Sequence, residues 1–188
     1  MILRHYRWWV LYLVDKISKY LLLLLLLCSY SRAFSQASVG TDEIKVAFIA
    51  KFVPYIAWPD QQKDRKRLIC FYQAPKFRIL FERNIKRQNL PIELCKTWNF
   101  ADIPRYDIVY LGNYDQTVVA QATATDTLTI AHGPGFGNLG VIINFYIKNN
   151  KLRFEINKSV LDRTNLKMSS QLLKLGEIIE WTVNSPKE

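Results

Sequence analysis

Three runs of the chain, "LICFYQ" beginning at Leu68, "DIVYLG" beginning at Asp107 and "TLTIAHG" beginning at Thr127, are short and almost wholly apolar. A strand with one wet face alternates polar and apolar residues. A strand covered on both faces does not, and such strands belong to parallel sheets with helices over each face. The segments between them carry helical spacing. "PKFRILFERNIKRQ" places Phe77, Leu80, Phe81 and Ile85 three and four residues apart, with Pro75 near its start, and "NYDQTVVAQATA" reads as a second helix. "LPIELCKTW" alternates and reads as a further strand, and "NFADIPRY" is a connection with room for a helical turn. From Lys51 onward the order is therefore helix, strand, helix, strand, connection, strand, helix, strand.

Before this series, "TDEIKVAFIAKFVPYIAWPD" repeats Ile44, Ala47, Phe48, Lys51, Phe52, Tyr55 and Ile56 at helical steps. Thr41 or Asp42 is its expected cap, and the Trp58-Pro59 pair its expected end, because a residue before proline leaves the helical region. "KDRKR" is read as an exposed loop. After the glycine-rich "GPGFGNLG" the rhythm changes. "VIINFYIKNNKLRFEIN" is two strands about Asn149-Asn150, a pair suited to the left-handed conformations of a two-residue hairpin. "SSQLLKLGEIIEW" is read as a closing helix, with Leu172, Leu173, Leu175, Ile178 and Ile179 on its apolar face and Ser169 or Ser170 as its cap. The expected fold is α/β: a three-layer sandwich with a mostly parallel sheet, helices on both faces and a C-terminal antiparallel hairpin.

The first residues read differently. Arg4, Arg7, Lys16 and Lys19 precede the unbroken run Leu21 to Leu27, and small polar residues follow, with Ser31-Arg32-Ala33 suited to a signal peptidase. The expectation is a signal peptide over 1–33, a tail over 34–41, one domain over 42–182 and a C-terminal tail over 183–188. A retained anchor is the lesser alternative, since the leucine run falls short of the ~20 residues a membrane span needs. The chain carries +10 overall; without residues 1–33, which hold five Lys/Arg and one acid, 21 basic and 15 acidic residues leave +6. These basic residues are scattered, and an exported protein does not meet the genome, so a nucleic-acid partner is not expected.

The candidate chemistry is sparse. "GPGFGNLG" has the glycines to cradle a phosphate, but it precedes a strand rather than a helix and lacks a GKS or GKT ending. "RFEIN" turns Arg153, Glu155 and Asn157 to one face and Phe154 and Ile156 to the other. One carboxylate without a second acid, a poised base or a metal makes a poor catalyst. Arg153, Glu155, Asn157, Ser169, Ser170 and Phe136 are instead read as bordering a surface for a partner or ligand. Tyr55, Trp58 and Trp98 are read as packing residues. Cys70 and Cys95 lie in strand-like segments, either as a disulfide or as two buried thiols. His132 is the only histidine after the leader, so no metal site, catalytic Cys/His pair or cofactor is expected.

The ordered set "EIKVAFIAKFVPYIAWP", "LICFYQ", "PKFRILFE", "YDIVYLG", "TLTIAHGPGF", "GVIINFYIKNNKLRFEIN" and "LKMSSQLLKLGEII" resembles the YfiR-type family of small periplasmic regulators, from about Asp42 to Ile179. The resemblance implies a non-enzymatic protein that binds the periplasmic sensor region of an inner-membrane diguanylate cyclase, with redox or envelope stress relieving the inhibition. A sensor histidine kinase is the other partner it admits. Family members often carry a cysteine where Cys70 stands. The partner expected in the strand matching "YDIVYLG" is absent, Tyr106 and Asp107 opening that strand, as is a second pair about the last hairpin. Cys95 substitutes, or no bridge forms.

The competing reading is a small-molecule module with its cleft at the carboxyl ends of the parallel strands, edged by a mobile Gly135-Phe136-Gly137. A symmetric homodimer is the base-rate assembly for either.

Overall fold

The computed structural model describes residues 40–60 and 65–180, and from Asp42 onward these form one compact unit. The leader, the 34–39 stretch, Lys63 and Asp64 of "KDRKR" and the end of the chain from Trp181 lie outside the described residues. Among the described residues no helix is long and apolar enough to cross a membrane.

Seven strands make the main sheet: β2 (Arg67–Tyr72), β3 (Ile92–Leu94), β4 (Ile108–Leu111), β5 (Leu128–His132), β6 (Ile143–Lys148), β7 (Lys151–Asn157) and β9 (Glu177–Ile179). Their spatial order is β3-β2-β4-β5-β6-β7-β9, parallel except between β6 and β7. Two very short strands, β1 (Ile56–Ala57) and β8 (Lys167–Met168), pair separately and antiparallel. The helices are α1 (40–52), α2 (Pro75–Gln88), α3 (Gln116–Ala124), α4 (Lys158–Leu161) and α5 (Ser170–Leu173), with 3-10 turns at Val53–Tyr55 and Phe100–Arg105.

The two-faced burial expected of the apolar runs is present. Ile69 and Phe71 of β2, Ile108 and Tyr110 of β4, and Leu128 and Ile130 of β5 join a core with α1 and α2. Cys70, Val109, Leu111 and Ala131 from the intervening positions join a second core with Ile103, Val118, Val119 and Ala122 from the Phe100–Arg105 turn and α3. Local chemistry sets the helix ends. Pro75 opens α2, and Asn89, at φ 47°, closes it in the left-handed region. The Asp115 side chain opens α3 by accepting from the Thr117 and Val118 amides at 2.9 and 3.1 Å. The β6–β7 hairpin turns on Asn149 and Asn150, at φ 51° and 58°, as a two-residue turn of this hand requires.

Three expectations need correction. The first helix does not run to Trp58. It gives way at Val53, where Pro54 has no amide to continue the ladder, and Ile56 and Ala57 pair with Met168 and Lys167 instead. Nor do Thr41 and Asp42 cap it, since both lie inside it; the Asp42 carboxylate takes the Lys45 ammonium at 2.6 Å. The closing helix is one turn only, α5, with Ser169 as its cap. The chain then becomes β9 on the free side of β7, with Glu155, Ile156 and Asn157 opposite Glu177, Ile178 and Ile179. Gly176 makes this turn possible: a Cβ there would stand 2.6 Å from the Phe154 ring and 3.0 Å from Ile156 Cδ1.

Cys70 in β2, next to the sheet edge, is bonded to Cys95 just past the edge strand β3, with their Cα atoms 5.2 Å apart at a sequence separation of 25. Closing a loop of that size stabilises a folded chain by roughly 3 kcal/mol. Reducing the bridge, or replacing both cysteines with alanine, is expected to lower the urea-unfolding free energy by about that amount, read as a fall in the midpoint at unchanged buried core.

Candidate functional site

An open groove of about 860 Å³ lies at the amino ends of the parallel strands. Arg67 opens β2 and Pro91 precedes β3 on its floor. The turn after α1, with Pro54, Tyr55 and Trp58, forms one wall, and Met168 and Ser169 form the other. The paired β1 and β8 tie these walls together, reinforced by the Ser169 amide donating to the Tyr55 carbonyl at 2.9 Å. Tyr55 is 42 % exposed, an aromatic ring held at the rim rather than folded into the core.

Beneath the groove lies an ion network. Asp107, at the head of β4, is buried. Its carboxylate accepts from both terminal nitrogens of Arg65, from Arg67 Nη1 at 3.3 Å and from the Leu68 amide at 2.7 Å. Asp60 adds a second carboxylate, 2.6 Å from Arg65 Nε and 2.6 Å from Arg67 Nη1. The Arg67 guanidinium stands 4.5 Å above the Trp58 ring. Two acids therefore balance two guanidiniums. Partial burial works to raise the Asp60 carboxyl, but hydrogen bonds from Arg67 and Arg65 outweigh it and hold the group below its ordinary range. The Asp107 hydrogen bond, opposed by burial, raises Arg65. "KDRKR" is thus corrected at its end: Arg67 is 6 % exposed, because a buried carboxylate waits for it.

The carboxyl ends of the strands, where a ligand cleft was expected, are closed between β2 and β4. A Cβ on Gly112 would stand 2.7 Å from the Gln73 carbonyl carbon, so backbone meets backbone there. The glycine-rich loop beyond β5 is tied down rather than a free edge. Asn144 Nδ2 donates to the Gly133 carbonyl and to Glu155 Oε1, each at 2.8 Å. Asn157 Nδ2 donates to the Gly137 carbonyl at 2.7 Å, and Tyr114 Oη to the Leu139 carbonyl at 3.0 Å. Phe136 packs on Tyr114 at 5.8 Å between centroids. At the same end a buried Lys45 ammonium lies 2.9 Å from His132 Nδ1, joining α1 to the sheet.

The six surface candidates therefore do not form one site. Glu155, Asn157 and Phe136 come together as supports of the glycine loop, and Asn157 also caps α4 by accepting from the Val160 amide at 2.9 Å. Arg153 is exposed on the hairpin, far along β7 from Asn157. Ser169 lines the groove while its Oγ accepts from the Leu172 amide at 3.3 Å; Ser170 is exposed in the first turn of α5. The groove's Asp60, Arg65, Arg67 and Met168, and Asp107 beneath it, were not singled out from sequence. Their signal was an arginine heading one buried strand and an aspartate heading another. Among the described residues no three His, Cys, Asp or Glu side chains are grouped to hold a metal ion.

A family model, DUF4154, described as YfiR/HmsC-like, matches residues 42–177. No curated protein matches the chain. A solved conserved domain protein from Vibrio cholerae O1 biovar El Tor strain N16961 shares the fold at TM-score 0.52 and 11% identity, over 73% of this chain. The match spans 59% of that protein's length. An ABC domain in complex with L-Trp from Streptococcus pneumonia gives TM-score 0.48 at 11% identity, over 69% of this chain and 59% of that one; a likeness of that grade carries no argument.

Two outcomes are expected. Asp107→Asn leaves two guanidiniums, Arg65 and the buried Arg67, to share the single Asp60 carboxylate and should cost about 3 kcal/mol in urea unfolding. His132 is held below 6.5, first by burial and then by the Lys45 charge, with Asp42 opposing. Below about pH 6.5 the unfolded chain then binds the extra proton more readily than the folded one. Stability is accordingly full above that pH and falls as pH drops through the lowered folded value. His132→Gln should flatten this slope in unfolding curves measured across acid pH.

Proposed function

Because the chain belongs to the YfiR/HmsC-like family, we propose that it is an exported regulator whose groove receives the periplasmic sensor region of an inner-membrane diguanylate cyclase or histidine kinase and changes its output. The observation that carries the reading is the groove itself. It presents Tyr55, Trp58, Pro54 and Met168 around an ion network that is already internally satisfied. Aromatic and methionine side chains on a rigid floor are what the energetic centre of a protein interface is made of. Paired acids and guanidiniums with no poised base or nucleophile among them suit recognition better than catalysis. Ser169, and through the shared wall Ser170, border this surface; Arg153, Glu155, Asn157 and Phe136 act elsewhere in the fold.

The volume of the groove also lies in the range of small-ligand pockets, ~300–1,000 Å³, which favours a second reading: a small molecule that occupies it and sets partner affinity, or acts without a partner. A homodimer is compatible with both.

Crosslinking in cells before membrane extraction, followed by affinity purification of the protein expressed with its own leader, is expected to recover one membrane cyclase or kinase. Trp58→Ala should weaken that recovery by at least about thirtyfold in affinity, the loss of one central aromatic contact. Equal recovery with Trp58→Ala, or unchanged second-messenger and kinase output on deletion, would count against the reading. A thermal shift produced by amino acids, nucleotides or sugars, and abolished by the same substitution, would favour the small ligand.

A further inference from the structure

The β6–β7 hairpin projects from the sheet. Pairing with β5 ends at His132 opposite Phe145, and pairing with β9 begins only at Glu155 opposite Glu177. The pairs Tyr146–Arg153, Ile147–Leu152 and Lys148–Lys151 therefore have no strand outside them among the described residues. They extend the ribbon by three residue pairs, about 10 Å. Its tip combines two kinds of side chain. Lys148 and Lys151 face each other across the final pair, with Arg153 on the same face, all exposed. On the opposite face Ile147 is 51 % exposed, and beyond the ribbon Leu175 is 73 % exposed. A hollow of about 390 Å³ beside the tip is lined by Lys148, Lys151, Arg153 and Leu175, with Ile147 outside it. Its acid, Glu177, is engaged by Tyr146 Oη at 2.6 Å and lies 3.6 Å from Lys148. The turn residues Asn149 and Asn150 are exposed as well, bringing amide donors to the same tip.

We propose that this tip is a reversible docking site for anionic phospholipid headgroups. Opposed lysines are depleted at the centre of protein interfaces, which argues against a protein occupant. Two or three cations flanking single exposed aliphatic side chains on a narrow ribbon match the other case. The ammonium groups stay at the phosphate level while Ile147 and Leu175 enter the acyl boundary. The ribbon points from the carboxyl ends of the parallel strands, whereas the groove opens at their amino ends. Lipid contact at one end thus leaves the other uncovered. This inference rests on the hairpin alone and holds whether or not the groove binds a sensor.

The test is co-sedimentation of the exported protein with phosphatidylcholine vesicles, with and without phosphatidylglycerol. Partitioning is expected only with phosphatidylglycerol and to fall as salt rises. Each basic side chain near a charged surface contributes roughly fivefold. Lys148→Ala with Lys151→Ala should therefore lower the partition coefficient roughly 25-fold, and Ile147→Ser should lower it further. Lys86→Ala with Arg87→Ala, on α2, should leave it unchanged, and circular dichroism should show all variants folded. Partitioning that is equal for the hairpin and α2 variants, or equal on neutral vesicles, overturns the proposal. So does a hairpin variant that keeps its vesicle binding yet loses capture of the sensor region, which would assign the tip to a protein partner.

Discussion

Asp107 organises the amino end of this molecule. A carboxylate 5 % exposed has to be neutralised where it stands. Two guanidiniums and one backbone amide meet that demand, and in meeting it they fix three separate pieces of chain. The segment after α1 is held through Asp60 and the Trp58 ring, β2 through Arg67 and Leu68, and β4 through Asp107 itself. The Trp58 indole N–H also reaches towards the Asp107 carbonyl, at 3.5 Å. The groove is what these constraints leave open. Its wall is irregular chain that would otherwise have little to hold it, and its floor is as rigid as the sheet.

The same sheet has a sealed end and an extended one. At the carboxyl side the backbone of Gly112 meets that of Gln73, and side-chain amides pin the glycine loop, so the crevice usual to parallel sheets is filled. Among the described residues the β6–β7 ribbon continues outward. The two proposed recognition surfaces, an apolar, ion-braced groove and a basic projecting ribbon, thus lie at opposite ends of one set of strands. Cys70–Cys95 fastens the short edge strand β3 beside the groove, giving the groove's Pro91 side a covalent as well as a hydrogen-bonded support.

The layered α/β architecture was legible because burial leaves a pattern. "LICFYQ", "DIVYLG" and "TLTIAHG" lack alternation, and each proved to be covered on both faces. The hairpin was legible because Asn149 and Asn150 announce their own backbone angles. The closing helix was misread because Leu172, Leu173, Leu175, Ile178 and Ile179 suit either period. What decided it was the open side of β7 and the space left only by a glycine at 176, both tertiary facts. The site was the least legible part. Arg65 and Arg67 sit in a charge run that composition alone assigns to solvent. Their pairing, and the burial of Arg67, depend on Asp107, some 40 residues away, and on a register no local pattern contains. Conversely, Glu155 and Asn157, two of the six surface candidates, hold a loop.

The central claim is that the groove at the amino ends of the strands is the recognition face. It is tested most directly by placing a photo-crosslinking amino acid at Tyr55 on the groove rim and, separately, at Ile79, which is 59 % exposed on α2. Irradiated cell envelopes should yield an adduct with one membrane signalling protein from position 55 and none from position 79. An adduct from position 79 with none from position 55 would contradict the account.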